Sequence, residues 1–429
     1  MGLACDLAVL GGGPAGAVSA RLAARDGLRV ILVDPGRGPR RIEGMSPRLH
    51  RWLAGEGLLE GLDGLIGPLP RQTDWSGLGA AVNGEFLVER AALDAHLRAA
   101  AVAAGAEEIR GSGRPEPGGI RLADGRWIAA AQVLDARGRA AHGAEAAARR
   151  GPVPTLSICA FVLSERGPEH GPVAPGLRIS ALPEGWIWRA ALPDGRIWAQ
   201  LTVDAASPLP PEARLRTALA ASAPELGDPR LEGAPLVRAT APVLPAPLDD
   251  LACLPVGDAF AAMDPLSGHG QFWAVSSALA AAAVRRTLAA RPGAGSEALC
   301  RRFLAERAQE TCLRNARIGR DFLRLETRFA DRPFWAARRD FPDDRPAHDL
   351  PPAIRIETAA VVRGGLVEEM EILKTPRTPA GIGWFGEIPA AEAFRMLRDG
   401  RAEAESRARF GLAPERLAAL LAREETPLL

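Results

Sequence analysis

The strongest constraint on the fold lies near the start of the chain, where residues 6–34 read DLAVLGGGPAGAVSARLAARDGLRVILVD. The apolar run over residues 7–10 is typical of a strand buried on both faces. A glycine-rich turn follows at residues 11–16, then a helical spacing, and then a second apolar run that ends at Asp34. This order of strand, turn, helix, strand and acid predicts a Rossmann-type unit that binds a dinucleotide.

Each part of this unit has a mechanical reason. Gly11 allows the tight turn, Gly13 lets the backbone approach a pyrophosphate, and Gly16 lets the helix pack closely against the strand. The amino terminus of the helix supplies amide donors to the phosphates, and Asp34 accepts hydrogen bonds from a ribose. The residues predicted to bind the cofactor here are Gly11, Gly13, Pro14, Ala15, Gly16 and Asp34.

The composition narrows the classes of function. The chain has 429 residues, more than one hydrophobic core usually supports, so we expect two or three domains. A formal net charge of +1 gives no basic surface of the kind that nucleic acids attract. Five cysteines without a C-x-x-C pair predict neither a disulfide framework nor a metal site. Because no signal-peptide pattern or long apolar span is present, we expect a cytoplasmic protein without a membrane span.

Three later segments indicate which dinucleotide is bound. Residues 88–97 read VERAALDAHL, residues 124–138 read DGRWIAAAQVLDARG, and residues 251–286 contain GDA, a turn rich in proline and glycine, and a long helical stretch. Together they resemble the FAD-binding pattern of the flavoprotein monooxygenase superfamily, which includes flavin-dependent halogenases and geranylgeranyl reductases. The resemblance implies FAD as the cofactor, held also by Arg90, Asp135, Gly257, Asp258, Pro265, Gly268, Gly270 and Gln271.

These motifs predict an α/β protein: a Rossmann-like FAD-binding domain, an antiparallel β-sheet substrate domain and a small C-terminal α+β module. We expect a discontinuous FAD domain, formed by residues 1–75, 86–150 and 240–330, with residues 151–239 as the substrate sheet. Residues 331–353 are rich in proline and aspartate, which is typical of a linker. Residues 354–429 then form the C-terminal module, which starts with a hairpin around Gly364 and continues with helical spacing.

The substrate sheet has a clear hairpin signal in GWIWRAALPDGRIWAQLTVD, residues 185–204, because two apolar runs flank Pro-Asp-Gly. Trp186 and Trp188 are two residues apart and therefore share one face of the first strand. Trp198 is placed to join them across the pair. We expect these three residues to form an aromatic core, a wall of the substrate pocket, or both.

The resemblance leaves several reactions open. GWIWRAAL resembles the Gly-Trp-x-Trp-x-Ile-Pro signature of flavin-dependent tryptophan halogenases, but Ala190 and Ala191 replace the closing Ile-Pro. Those enzymes use a lysine in the first part of the chain, whereas the lysine here is Lys374, and a protonated arginine cannot act as an amine nucleophile. Alkene reduction, as in geranylgeranyl reductases, would need a long apolar tunnel. A non-catalytic FAD protein is a further alternative.

Hydroxylation requires a pocket that excludes water and groups that manage protons beside the flavin. His269 lies in Gly-His-Gly, where the loop meets the flavin in relatives, although a lone loop histidine is more often a surface group. Glu43 in RIEGMSPRLHRWL matches a segment that lies close to the flavin in relatives, although an exposed glutamate is equally ordinary. We take His269 and Glu43 as the candidate catalytic residues.

Within this class the chain most closely resembles the tryptophan-modifying monooxygenases of tryptophylquinone maturation, one of which serves quinohemoprotein amine dehydrogenase. The resemblance implies hydroxylation of a specific tryptophan side chain in a partner polypeptide, with dioxygen as oxidant and NAD(P)H or reduced flavin as electron donor. The C-terminal module could be a docking surface for that polypeptide or a stabilising appendage. Hydroxylation of a free small aromatic molecule is the alternative.

Overall fold

The structure is a computed structural model, and it describes residues 3–36, 38–143, 149–163, 173–347 and 353–425. The chain forms two compact units. The first consists of Met1–Ala282 and Ala308–Asp344, and the second consists of Ala283–Arg307 and Arg345–Leu429. Each unit is described by itself below.

The strands are β1 (Leu3–Leu10), β2 (Val30–Asp34), β3 (Ile42–Met45), β4 (Ile66–Trp75), β5 (Leu78–Glu89), β6 (Glu107–Arg110), β7 (Gly113–Glu116), β8 (Gly119–Leu122), β9 (Trp127–Asp135), β10 (Thr155–Leu163), β11 (Gly176–Leu182), β12 (Gly185–Ala191), β13 (Ile197–Asp204), β14 (Arg230–Leu231), β15 (Leu236–Ala239), β16 (Cys253–Pro255), β17 (Arg355–Arg363), β18 (Leu366–Lys374), β19 (Trp384–Phe385) and β20 (Ile388–Pro389). The α-helices are α1 (Pro14–Arg25), α2 (Pro47–Gly55), α3 (Arg90–Ala103), α4 (Pro211–Ser222), α5 (Gly270–Ala290), α6 (Ala294–Leu325), α7 (Pro333–Ala336), α8 (Ala390–Arg398), α9 (Ala402–Phe410) and α10 (Pro414–Glu425).

The first sheet of the first unit is the predicted Rossmann-like sheet. Its strands run in the order β6-β2-β1-β9-β8-β7, and β16 pairs with β9. β1 is parallel to both β2 and β9, and α1 connects β1 to β2. Parallel strands are buried on both faces, which explains why β1 and β2 are almost wholly apolar. The predicted order of strand, turn, helix and strand is confirmed.

The second sheet has nine strands, in the order β14-β10-β13-β12-β11-β4-β5-β3, with β15 paired to β10. The predicted hairpin of residues 185–204 is confirmed, because β12 and β13 pair antiparallel in full register. β4 joins the sheet by parallel pairing with β11. Strands β3, β4 and part of β5 therefore extend the substrate sheet, whereas the sequence placed their residues in the FAD domain. This pairing is non-local, so the sequence pattern does not reveal it.

The two faces of this sheet bury different side chains. On one face, Ile187 and Leu201 pack with Leu215 and Leu219 of α4 in a single apolar cluster. The opposite face presents the aromatic side chains of β12 and β13, among others, to a second cluster. Alternation along each strand produces this division, because successive side chains point to opposite faces.

The first part of the predicted linker differs from expectation. Trp335 of α7 is fully buried, and its Nε1 donates a hydrogen bond to Leu182 O at 2.9 Å. Residues 331–344 belong to the first unit and contribute to its core instead of forming an extended arm. Residues 348–352 lie outside the described residues.

The second unit contains the predicted C-terminal hairpin. β17 and β18 pair antiparallel over nine residue pairs, from Arg355 with Lys374 to Arg363 with Leu366. Helices α8 and α10 pack their apolar faces against β18 through Leu373 and Leu421. In neither unit does a helix of the described residues have the length and apolar character needed to cross a membrane. The α/β fold class with its small C-terminal module is confirmed.

Candidate active site

An elongated cavity of about 870 Å³ runs through the first unit. One end lies at the glycine turn after β1 and at the end of β2, and the other end lies against the second sheet. The predicted cofactor residues that line the cavity are Gly11, Gly13, Pro14, Ala15, Asp34, Arg90, Asp258, Pro265, Gly268, Gly270 and Gln271. The fold thus brings most of the predicted cofactor-binding residues around one cavity.

The glycine turn is built so that only glycine fits at its two ends. Gly11 has φ +108°, and a Cβ at this position would lie 2.4 Å from Ala136 O. A Cβ on Gly16 would lie 1.8 Å from Gly11 O, so this glycine serves the close packing of α1 and does not itself line the cavity. A Cβ on Gly13 would lie 3.2 Å from Nη2 of Arg90. The turn therefore offers backbone amides at a helix amino terminus beside a cation, which suits a pyrophosphate.

Asp34 lies at the end of β2, where the ribose of a dinucleotide is expected. Its carboxylate accepts hydrogen bonds from Gly12 N at 2.6 Å and Gly36 N at 2.7 Å. The buried Arg98 lies 3.5 Å from the same carboxylate and also pairs with Glu108. A carboxylate has about four acceptor positions, so Asp34 retains capacity for a ribose hydroxyl. Arg98 was missed because nothing in its helical context distinguishes it from a surface arginine.

The GDA segment closes the middle of the cavity. Gly257 has φ +60°, and its ideal Cβ would lie 2.9 Å from the Cβ of Ala15, so the segment passes directly over the start of α1. Asp258 faces the cavity, with Oδ2 3.5 Å from Nε of Arg139. Asp135 is buried beside the cavity and pairs with Arg137 at 2.7 Å. Gly257 and Asp135 therefore shape the site and do not line it.

The residues of the loop before α5 differ in whether they face the cavity. Gly268 has φ +65° and faces the cavity with Gly270. His269 is exposed, does not line the cavity, and places Nδ1 against Ser267 O. Burial of part of the ring and the nearby Arg314 and Arg48 lower the pKa of His269. No described contact joins this ring to the cavity.

Glu43 forms the centre of a half-buried charged network, here called the Glu43 network. Its carboxylate pairs with Arg41 at 2.6 Å, Arg90 at 2.8 Å and Arg238 at 3.7 Å. Gln271 Nε2 donates a further hydrogen bond to it at 2.9 Å. Burial alone would raise the pKa of Glu43, but the three guanidinium groups outweigh burial and hold this pKa well below its usual range. Glu43 is therefore a fixed anion that orients Arg90 and Gln271.

The aromatic wall of the cavity comes from β12. Trp186 and Trp188 line the cavity, and their side chains are 4% and 8% exposed. Trp198 shares their face and their apolar cluster but does not line the cavity, because it pairs with Ala190 and packs edge-on against Phe161 at 4.9 Å. The prediction that the three tryptophans share one face is correct, whereas Trp198 belongs to the core behind the wall.

The sequence did not reveal several polar residues of the cavity. Half-buried Asp264 faces it and accepts a hydrogen bond from Leu266 N at 2.8 Å. Loss of solvent raises the pKa of Asp264, because this hydrogen bond and the neighbouring cations compensate only partly. Arg71 and Glu85 line the end that adjoins the second sheet. Within the described residues, no cluster of three or more His, Cys, Asp or Glu side chains could hold a metal ion.

Comparison with solved structures identifies a relative that matches this chain over its whole length. The structure of the peptidyl tryptophan dihydroxylase QhpG, essential for tryptophylquinone cofactor biogenesis, is 36% identical, with 99% of this chain and 100% of QhpG covered and a TM-score of 0.80. The flavin-dependent halogenase CmlS is 16% identical, with 98% of this chain and 92% of CmlS covered and a TM-score of 0.72.

The myxobacterial chondrochloren halogenase CndH, an FAD-dependent halogenase, is 19% identical, with 99% of this chain and 97% of CndH covered and a TM-score of 0.58. At these identities the two halogenases establish the shared fold alone. No protein-family model matches the sequence, and no curated protein matches it.

Proposed function

The chain belongs to the family of the peptidyl tryptophan dihydroxylase QhpG, and on that premise we propose that it is an FAD-dependent monooxygenase that hydroxylates the indole ring of a tryptophan in a partner polypeptide. The observation that carries this proposal is the 36% identity over 99% of this chain and all of QhpG. We extend to this chain the role in quinone cofactor biogenesis that QhpG has.

The residues of the cavity fit an FAD. The close approach at Gly11 and the free acceptor capacity of Asp34 suit the dinucleotide, and Asp258 lies between them and the second sheet. When bound and reduced, FAD supplies the activation of dioxygen. The chain itself provides a wall of Trp186 and Trp188, which packs an aromatic ring and excludes water.

Glu43 has a positioning role in this proposal. Because three arginines keep it ionised, it accepts hydrogen bonds from Arg90 and Gln271 and does not supply a proton near neutral pH. Loss of Glu43 would release Gln271 and leave Arg90 held by Asp94 alone among the described residues. A catalytic role for His269 stays a prediction, since its ring lies outside the cavity lining.

The remaining parts of the proposal concern partners and location. We propose NAD(P)H or reduced flavin as the electron donor and docking of the polypeptide near the C-terminal module. We also propose a cytoplasmic location. The five cysteines, which are all free, support this location because reduced thiols are typical of the cytosol.

Mass spectrometry of a polypeptide tests the proposed function. The holoenzyme, a reductant and air are incubated with a tryptophan-containing polypeptide, and fragmentation locates any added oxygen. We expect one or two oxygen atoms on an indole ring, and none without the reductant or under nitrogen. Oxygen added to free tryptophan but not to the polypeptide would favour a small aromatic substrate. A mass gain that depends on chloride or bromide would contradict hydroxylation and indicate a halogenase.

A further inference from the structure

The end of the cavity that adjoins the second sheet contains an incomplete ion pair. Arg71 of β4 and Glu85 of β5 both line the cavity, and Arg71 Nη1 lies 3.7 Å from Glu85 Oε2. This separation exceeds the length of a good hydrogen bond, about 2.7–3.2 Å. Arg71 Nε is buried without a hydrogen-bond partner among the described residues. The two half-buried side chains therefore leave donor and acceptor capacity unused, including the buried Nε of Arg71.

The backbone next to Glu85 is adapted to this carboxylate. A Cβ on Gly44 of β3 would lie 2.1 Å from Glu85 Oε1, so a larger residue there would require this carboxylate to move from its position. Burial raises the pKa of Glu85, because the single distant guanidinium of Arg71 does not offset the loss of solvent. A buried polar pair with unfilled positions is costly unless a further partner completes it.

The pair lies on the same sheet face as the tryptophan wall. Trp188 pairs across the strands with Ile179, and Ile179 pairs with Thr73. Arg71 is two residues from Thr73 along β4, so it shares the face of Trp188 and of the cavity-lining Ile179. β4 is two strands from β12, a separation of about 10 Å across the sheet. A single bound residue can therefore reach both features.

We propose that Arg71 and Glu85 bind the backbone C=O and N–H of the substrate residue whose aromatic side chain packs against Trp186 and Trp188. In an extended chain the C=O and N–H of one residue point to the same side, so the two adjacent side chains can bind them together: Arg71 donates to the carbonyl and Glu85 accepts from the N–H. Both partners are needed, because each residue carries one backbone donor and one backbone acceptor. This inference rests on the proposed function and deepens it, since it explains how the cavity selects a residue within a chain over a bare ring.

Binding to the oxidised holoenzyme tests the pair without turnover. The probes are N-acetyl-L-tryptophanamide, which has two uncharged peptide groups, 3-methylindole, which has the ring alone, and free L-tryptophan, which has charged backbone groups. Calorimetry measures each Kd. We expect wild-type protein to bind the amide at least about tenfold tighter than 3-methylindole, as two net hydrogen bonds would give.

The variants separate this role from a structural one. R71M and E85L should reduce the tenfold preference to nearly none, whereas E85Q should keep most of it because its amide oxygen still accepts a hydrogen bond. The matched control is R178M on β11, since exposed Arg178 donates to Gln72 at 3.0 Å and does not line the cavity. FAD absorbance and urea unfolding confirm that each variant is folded.

Three outcomes would overturn the inference: no saturable binding of the amide, an unchanged preference in R71M and E85L, or tighter binding of free tryptophan than of the amide. Tighter binding of free tryptophan would indicate that Arg71 and Glu85 bind a free amino acid. Hydroxylation of a polypeptide together with an unchanged preference would reject the pair and leave the proposed function standing. A preference that depends on the pair, in a protein that hydroxylates no polypeptide, would support the pair and reject the proposed function.

Discussion

Glu43 and Glu85 lie on neighbouring strands, β3 and β5, and line the same cavity, yet their surroundings differ. Glu43 is held by three arginines and one glutamine, and its pKa is depressed. Glu85 has one guanidinium at 3.7 Å, and burial raises its pKa. The pKa values of two glutamates on neighbouring strands are therefore shifted in opposite directions, because their charged partners differ.

The same difference distinguishes the half of the site where the cofactor is expected from the half beside the second sheet. Where the cofactor is expected, the protein satisfies its own charges in advance, so the geometry is fixed before anything binds. In the half beside the second sheet, the protein leaves polar capacity open, which a substrate can complete. The Glu43 network is complete without a ligand, whereas the pair of Arg71 and Glu85 is not.

The largest expected effect comes from breaking the Glu43 network. E43Q should lower the free energy of unfolding by about 3 kcal/mol, because three half-buried guanidinium groups lose their shared anion and, among the described residues, only Arg90 keeps another carboxylate partner, Asp94 at 2.7 Å. Urea unfolding measures this change. E56Q is the matched control: Glu56 also pairs with two arginines, at 2.9 and 3.1 Å, but at the surface, where the expected loss is about 1 kcal/mol or less. Equal losses in both variants would contradict the account.

Acid should reduce the contribution of Glu43 in a defined direction. Its pKa is lower in the folded protein than in the unfolded chain, so its stabilisation is present above the ordinary value of 4.5 and is lost as the pH falls below it. The difference in unfolding free energy between wild type and E43Q should shrink by up to about 1.4 kcal/mol per pH unit below that value. A difference that is independent of pH would show that Glu43 is not ionised in the fold.

The aromatic wall should affect ligand binding more than cofactor binding. W186A should weaken binding of N-acetyl-L-tryptophanamide about tenfold, because it removes an aromatic contact. The FAD content of the purified protein should stay unchanged. The control is W127A, since Trp127 lies in the first sheet beneath Arg121, at 4.7 Å, and does not line the cavity. Loss of FAD with unchanged amide binding in W186A would reverse the assignment of the two halves.

The smallest effect is expected at Glu85. Its pKa is raised, so its contribution to stability is present below its ordinary value of 4.5 and is lost as the pH rises through the folded value. E85Q should therefore change the free energy of unfolding at neutral pH by less than about 1 kcal/mol, and in the stabilising direction. Urea unfolding beside E43Q gives the comparison. A loss as large as that of E43Q would show that Glu85 is a structural carboxylate.

The cofactor half could be predicted from the sequence because its constraints are local. Gly11 has a positive φ in the turn, Gly16 packs against Gly11 O within the same strand-turn-helix unit, and Asp34 follows at the end of the next strand. Hairpin signals likewise placed Trp186 and Trp188 on one face. Spacing of this kind is visible along the chain itself.

The substrate half could not be predicted, because long-range pairing builds it. Arg71 and Glu85 reach the cavity only through the parallel pairing of β4 with β11 and the antiparallel pairing of β5 with β4 and β3. The partners of Glu43 come from three separate segments, and no single pattern contains them. Trp198 is expected in the core, in the pocket wall or in both, and its pairing with Phe161 of β10 places it in the core.

Incorporation of labelled dioxygen tests the central claim most directly. The holoenzyme, a reductant and a tryptophan-containing polypeptide are incubated under dioxygen made with the heavy oxygen isotope, and the modified residue is analysed by tandem mass spectrometry. The account predicts heavy oxygen on an indole ring within the polypeptide. An unmodified polypeptide, or oxygen that derives from water, would contradict it.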